Sequence, residues 1–170
     1  MKYKFEIKPQ IGFGPIKFGM SPKEVQAHVG KPAKKKSALY GHETDEEMIF
    51  YEAGKTYEWY GEKFPDDTDL QVTFKDDKAI CITISKGSGP LMYKGMNLHI
   101  FKNRQQVLET LAKDEEVYYY DEVGYFFPKS GLAVPTPKHM RDLFFIQLFL
   151  TSYQMSRLNY DMYEPSTALS

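Results

Sequence analysis

The sequence predicts an α+β fold in which two tandem units, each a helix packed on an antiparallel sheet, share a largely continuous curved sheet. Three observations lead to this prediction: a short helix with strong end signals, alternating strand patterns after it, and a partial repeat of the same order further along. We therefore expect a single domain over residues 1–170, built of repeats at 11–85 and 86–150, with a C-terminal strand or tail at 151–170.

The segment "GMSPKEVQAHVGKP" has helix signals at both of its ends. Ser21 is a good N-cap residue, Pro22 suits the first helical position, and the Glu24 carboxylate can return to the Ser21 amide. Gly30, followed by Pro32, supplies a left-handed residue and a stop. A helix of about two turns is too short to be stable alone, so we expect it to pack on a sheet.

Alternating strand patterns follow, separated by turn residues. In "LQVTFKDDKAICITIS" the apolar residues from Leu70 to Phe74 alternate onto one face, and two aspartates then turn the chain. In "MIFYEAGKTYEWYG" two aromatic-rich runs flank Gly54 and Lys55, which predicts a tight hairpin turn there. Each pattern needs one buried face, and an antiparallel meander covered by the helix provides it.

The second half of the chain repeats part of this order. "GPI" at residues 14–16 matches "GPL" at 89–91, and "GM" at 19–20 matches "GM" at 95–96. A helical pattern, "NRQQVLETLAKD", follows the second copy. The first copy is longer, and its extra residues fall in the polar segment "KPAKKKSALYGHETDEE", which we interpret as an inserted loop.

Composition limits the classes of partner. The chain has 22 Lys+Arg against 23 Asp+Glu, so it has no global basic field to attract nucleic acid or anionic lipid. The longest apolar run, "LFFIQLFL", is shorter than the ~20 residues needed to span a bilayer and predicts a core strand. The opening "MKYKFEIKPQ" alternates like a half-buried strand rather than a signal peptide. We expect a cytoplasmic protein with no membrane or nucleic-acid partner.

The sequence contains no recognisable active site, so we expect no catalytic residues, no metal and no cofactor. The four histidines are His28, His42, His99 and His139. They lack the spacing of a zinc site, and the acidic residues beside the second of them are better interpreted as a solvated loop. The lone Cys81 cannot form an intramolecular disulfide and is predicted to be a small buried hydrophobe.

A short basic run lies at residues 34–36, "KKK". It could contact an acidic partner through its three positive charges. Acidic residues between 43 and 47 follow closely, so the local charges nearly cancel.

The aromatic content is unusual: 13 Tyr, 12 Phe and one Trp make 15% of the chain. Runs such as "YEWY" and "VYYYD" place rings on both faces of a strand. A single buried face cannot hold all of these rings. Exposed Tyr and Trp favour recognition because they bury a large area with few rotors. The predicted partner-binding residues are Tyr57, Trp59, Tyr60, Tyr118, Tyr119, Tyr120 and Tyr125. The alternative, equally open at this point, is that these rings cover the seam between the two repeats.

The segment "GPIKFGMSPKEVQAHVGKP" resembles the signature of small bacterial proteins with the β-lactamase-inhibitor-protein type of fold. "YKGMNLHIFKNRQQVLETL" and "GYFFPKSGLAV" resemble segments of small bacterial proteins proposed as immunity partners of toxins. This resemblance covers most of residues 11–150 and implies tandem helix-on-sheet units. The family's best-known member has a secretion signal and paired cysteines. This sequence shows neither feature, so a β-lactamase is not the expected target.

The expected function is that of a non-catalytic, immunity-type inhibitor, which occludes a bacterial toxin or enzyme through the concave aromatic face of its sheet. The alternative is a small-molecule sensor or enzyme with a cleft between the repeats. In that cleft His99 or His139 could meet acidic residues from the other half. A deep closed pocket holding polar groups would favour the alternative.

Overall fold

Strands dominate the part of the chain that the computed structural model describes, which comprises residues 6–43, 48–59, 69–85, 92–97, 104–120, 124–134, 145–149 and 164–165. The strands are β1 (Glu6–Lys8), β2 (Gly12–Phe13), β3 (Ile16–Lys17), β4 (Lys34–Glu43), β5 (Met48–Trp59), β6 (Asp69–Lys75), β7 (Lys78–Ser85), β8 (Met92–Tyr93), β9 (Met96–Asn97), β10 (Tyr118–Tyr120), β11 (Gly124–Phe127), β12 (Leu132–Val134), β13 (Phe145–Phe149) and β14 (Glu164–Pro165). The helices are α1 (Pro22–Val29) and α2 (Arg104–Leu111). Neither of these described helices is long and apolar enough to cross a membrane.

Nine of the described strands form a large sheet in the order β14-β10-β11-β12-β13-β7-β6-β5-β4. All neighbouring pairs in it are antiparallel. The other five form a small sheet in the order β3-β2-β1-β8-β9. There β1 and β8 pair in parallel, with Ile7 opposite Tyr93. The small sheet therefore joins segments that are far apart in the sequence.

The predicted α+β fold of two helix-on-sheet units is wrong. The described chain is mostly β, with two helices of eight residues each, and its separate small sheet combines strands from residues 6–17 and 92–97. No helix-on-sheet repeat unit is evident in these ranges. The matched motifs were misleading because they meet the needs of tight turns. Gly19 and Gly95, with φ of 88° and 77°, each adjoin the small sheet in a conformation that glycine tolerates best.

Two local predictions in the first half are also wrong. The polar segment interpreted as an inserted loop contains β4, a ten-residue strand paired with β5. The hairpin turn predicted at Gly54 and Lys55 does not form, because β5 runs through both residues. Gly54 allows a close approach instead, since a Cβ there would lie 1.9 Å from the Phe74 carbonyl oxygen of β6.

The alternation predicted from Leu70 to Phe74 is confirmed. In β6, Leu70, Val72 and Phe74 are buried while the residues between them are partly exposed, and the following aspartates form the turn to β7. Cys81 is buried and free, as predicted. The apolar run near the C-terminal end supplies β13, where Ile146 is fully buried in the same core.

The predicted first helix is confirmed by α1. Ser21 Oγ accepts a hydrogen bond from the Glu24 amide at 3.3 Å, and Glu24 Oε2 accepts one from the Ser21 amide at 2.8 Å. These two bonds form a complete capping box. The bond from the Ser21 backbone holds the pKa of Glu24 below its usual 4.5. Gly30 ends the helix with φ of 82°, and Val25 anchors it in the core.

We expect Ser21→Ala to lower the free energy of unfolding by about 1 kcal/mol, because the Glu24 amide loses its capping acceptor. Urea denaturation followed by circular dichroism measures this change. Lys23→Ala, at an exposed position of the same helix, is the control and should leave stability within about 0.5 kcal/mol of the parent. An unchanged midpoint for Ser21→Ala would show that the cap contributes nothing to stability.

Candidate binding site at the edge of the large sheet

Tyr57 lies half-buried on a base of other rings. Its ring centroid is 5.1 Å from that of Phe74 on β6 and 6.3 Å from that of Trp59, two residues along β5. Both supporting rings are buried, and Trp59 Nε1 donates a hydrogen bond to the Gly30 carbonyl oxygen at 2.9 Å. This bond links the end of α1 to β5. Packing against these two buried rings therefore restricts the position of the Tyr57 ring.

Three lysines and Tyr57 line a recess of about 290 Å³, which we call the lysine recess. Lys35 and Lys36 belong to β4, the last strand in the described order, while Lys55 belongs to β5. Lys35 lies opposite Tyr57 in the register, and Lys55 lies opposite Ser37. Lys35 Nζ is 4.8 Å from the Tyr57 ring centroid, a cation–π distance. All three lysines are exposed.

The charge of Lys36 is paired with a carboxylate on the other face of the sheet. Lys36 Nζ lies 2.5 Å from Glu58 Oε1. Glu58 is only 4% exposed and also accepts a hydrogen bond from Gln71 Nε2 at 3.3 Å. Successive side chains on a strand point to opposite faces, so Lys36 and Glu58 project away from Lys35 and Tyr57. The Glu58 carboxylate thus offsets the charge of Lys36 on the face of the sheet opposite to Tyr57.

The other predicted aromatic residues have different environments. Trp59 is fully buried, so it supports its neighbours rather than facing solvent. Tyr119 of β10 lies opposite Tyr125 of β11, with ring centroids 5.1 Å apart. Tyr125 is buried, and this burial raises the pKa of its phenol. Tyr118 is half-buried, and its hydroxyl donates to Glu116 at 3.0 Å.

The predicted aromatic residues do not form one continuous patch. Four strands lie between β5 and β11 in the large sheet, so the aromatic residues of these strands occupy separate ends of it. Among the predicted residues whose side chains the structure describes, those with surface exposure are Tyr57 at one end and Tyr118 and Tyr119 at the other. Tyr60 lies outside the described residues, as does the side chain of Tyr120.

A buried polar cluster joins the small sheet to the turn between β11 and β12. Ser130 Oγ hydrogen-bonds to Glu115 and lies 3.1 Å from the Tyr93 hydroxyl. Because a carboxylate only accepts, Ser130 donates to Glu115 and accepts from Tyr93. Glu115 also accepts from the backbone amides of Lys129 and Ser130, at 2.8 and 3.1 Å. Tyr93 and Ser130 are buried, so this cluster fixes the position of the turn.

Sequence reasoning missed both the polar cluster and Lys55 of the lysine recess. Tyr93 and Ser130 are 37 residues apart, and no motif connects them. Lys55 was assigned to a turn, although the β4–β5 register brings it beside the basic run at 34–36. A strand at residues 34–43 is the feature that indicates this grouping, because pairing of β4 with β5 places Lys55 beside the basic run.

The described ranges hold no group of three or more His, Cys, Asp or Glu side chains that could bind a metal ion. His28 is exposed on α1, and His42 lies in β4. His99 and His139, the residues of the alternative cleft, lie outside the described residues.

Comparison of the chain with protein-family models, curated proteins and solved structures found no match. The resemblance to the β-lactamase-inhibitor-protein type of fold and to immunity proteins therefore stays a prediction.

Proposed function

We propose that this protein is a non-catalytic, protein-binding inhibitor of the immunity type, which occludes a bacterial toxin or enzyme. The observation that carries the proposal is Tyr57, a half-buried ring supported by the buried rings of Phe74 and Trp59. Aromatic residues that bind proteins strongly are generally well packed and surrounded by polar groups. Exposed lysines surround Tyr57 in this way.

Pre-organisation supports a binding role for Tyr57 over a merely structural one. A tyrosine has few rotors to lose, and a ring already fixed by its neighbours loses still less entropy when a partner covers it. Tyr57 is half-buried, so part of its surface is open to such a partner. The proposed binding surface is therefore the Tyr57 end of the large sheet rather than a whole face of it.

We expect Tyr57→Leu to weaken binding of the partner at least about tenfold, or ~1.4 kcal/mol, because leucine keeps apolar packing but removes the ring. The partner is the protein that co-purifies from the native cell and then binds the purified chain directly. Its affinity is measured by calorimetry, and its own activity is assayed with and without the chain.

Tyr119→Leu is the matched control, because Tyr119 is also half-buried and its ring centroid lies 5.1 Å from that of a buried ring. We expect it to change the partner's affinity less than about twofold, well below the ~1.4 kcal/mol of a tenfold change. Circular dichroism must first show that both variants remain folded. The proposal fails if the purified partner keeps full activity when saturated, or if Tyr57→Leu binds normally while Tyr119→Leu does not.

A further inference from the structure

We infer that the lysine recess binds carboxylate side chains of an acidic protein segment. The inference rests on the proposed protein-binding function for the identity of the partner, and it adds the chemistry that the partner must present. The recess is formed by residues from two adjacent strands, Lys35 and Lys36 of β4 and Lys55 of β5.

The lining of the recess carries a local positive charge. Lys35 and Lys55 contribute +2 on the Tyr57 face, while the charges of Lys36 and Glu58 cancel in their ion pair on the other face, so these four groups sum to +2. The chain as a whole has a formal net charge of −1, so the attraction is confined to this site. At physiological ionic strength it extends only about 8 Å, which favours a ligand that enters the recess.

Edge protection is the simpler explanation for lysines on β4, because charged residues on edge strands discourage pairing between sheets. That explanation does not extend to Lys55, since β5 pairs with β4 on one side and β6 on the other. Nor does it require Lys35 Nζ to lie 4.8 Å from the Tyr57 ring. Lys35 and Lys55 line the same recess as the Tyr57 ring. In this arrangement the lysines can bind an anionic ligand through charge while the ring contacts the aliphatic part of that ligand.

The charge of the recess fits an acidic side chain better than nucleic acid. Its volume of about 290 Å³ is enough to hold one or two acidic side chains. Nucleic-acid binding draws on many phosphate contacts, whereas the described lysines of the lining and Glu58 together carry a net charge of +2. One or two glutamate or aspartate side chains match both the charge and the space.

The test uses defined probes on the full chain labelled with ¹⁵N. A hexaglutamate peptide is titrated at about 0.02 M ionic strength, where electrostatic attraction is weakly screened, and hexaglutamine serves as the neutral probe. We expect saturable shifts at the amides of Lys35, Lys55 and Tyr57 with hexaglutamate and none with hexaglutamine. The shifts should weaken strongly at about 0.2 M salt.

The double variant Lys35→Gln/Lys55→Gln should bind hexaglutamate at least about tenfold more weakly, since it removes both charges beside the ring. Its matched control is Lys23→Gln/Lys129→Gln, which makes the same change in net charge at exposed lysines elsewhere and should bind like the parent. Equal losses in the two double variants would overturn the inference. So would a single-stranded oligonucleotide that shifts the recess amides when hexaglutamate does not.

The purified partner separates this inference from the proposed function. If its binding depends on Tyr57 but not on the Lys35/Lys55 pair, the acidic-segment inference is wrong and the binding function stands. If hexaglutamate binds in the recess and no partner is inhibited, the recess is an acidic-peptide site and the proposed inhibitor function is wrong.

Discussion

Replacing Trp59 with alanine should lower the free energy of unfolding by about 3–5 kcal/mol, the range for large-to-small changes of buried tryptophan. Trp59 has no solvent exposure and is among the largest fully buried side chains in the described core. Its removal leaves a cavity beside Tyr57 and takes the hydrogen-bond donor from the Gly30 carbonyl oxygen. The end of α1 and strand β5 thus lose the side chain that connects them.

Trp59→Phe separates packing from hydrogen bonding in this prediction. Phenylalanine keeps much of the apolar volume but cannot donate to Gly30, so we expect an intermediate loss of about 1–3 kcal/mol. Chemical denaturation followed by circular dichroism measures both variants, because Trp59 is the single tryptophan and its fluorescence is lost on mutation. A loss below about 1 kcal/mol for Trp59→Ala would contradict the core position of this ring.

Gly131→Ala should cost about 2–5 kcal/mol, from the strain of a left-handed residue and from a steric clash. Gly131 has φ of +66°, and a Cβ there would lie 2.2 Å from the Phe149 carbonyl oxygen and 2.7 Å from Gln10 Nε2. Its own carbonyl accepts a hydrogen bond from the Phe149 amide at 2.7 Å. Relief of the clash requires movement of the β13 backbone.

Gly95→Ala provides a matched comparison for Gly131→Ala. Gly95 has a similar φ of +77°, but a Cβ there would meet nothing within 4 Å. It should therefore cost only the backbone strain of about 1–2 kcal/mol. Denaturation midpoints of both variants isolate the contribution of the clash. Equal losses would mean that Phe149 moves away freely and that the contact does not restrict this position.

The features that the sequence predicted correctly depend on neighbouring residues. Ser21, Pro22 and Glu24 lie within four positions, so their capping geometry requires no information from the rest of the chain. The alternation from Leu70 to Phe74 is equally local and shows directly which face of β6 is buried.

The features that the sequence did not predict depend on distant partners. Glycine is common both in turns and where two backbones approach closely. Gly54 allows a close approach because the backbone of β6 lies beside it. The basic run in β4 resembled a loop because lysine is common both in loops and on edge strands. Only pairing with β5 brings Lys35 and Lys55 to one recess. The matched glycine motifs lie in tight turns, where glycine is favoured whether or not the segment is part of a repeat.

The parallel pairing of β1 with β8 has a consequence for the order in which the chain assembles. Ile7 and Tyr93 are opposite each other, so 93 − 7 = 86 positions separate the two strands along the chain. At a synthesis rate of about 5–20 residues per second, roughly 4–17 s pass between the appearance of the first and the second. Strand β1 can pair with β2 as soon as β2 has been synthesised. The other edge of β1 stays unpaired until β8 has been synthesised. During this interval one edge of β1 stays unpaired, and an unpaired strand edge of a nascent chain is prone to pair with other chains.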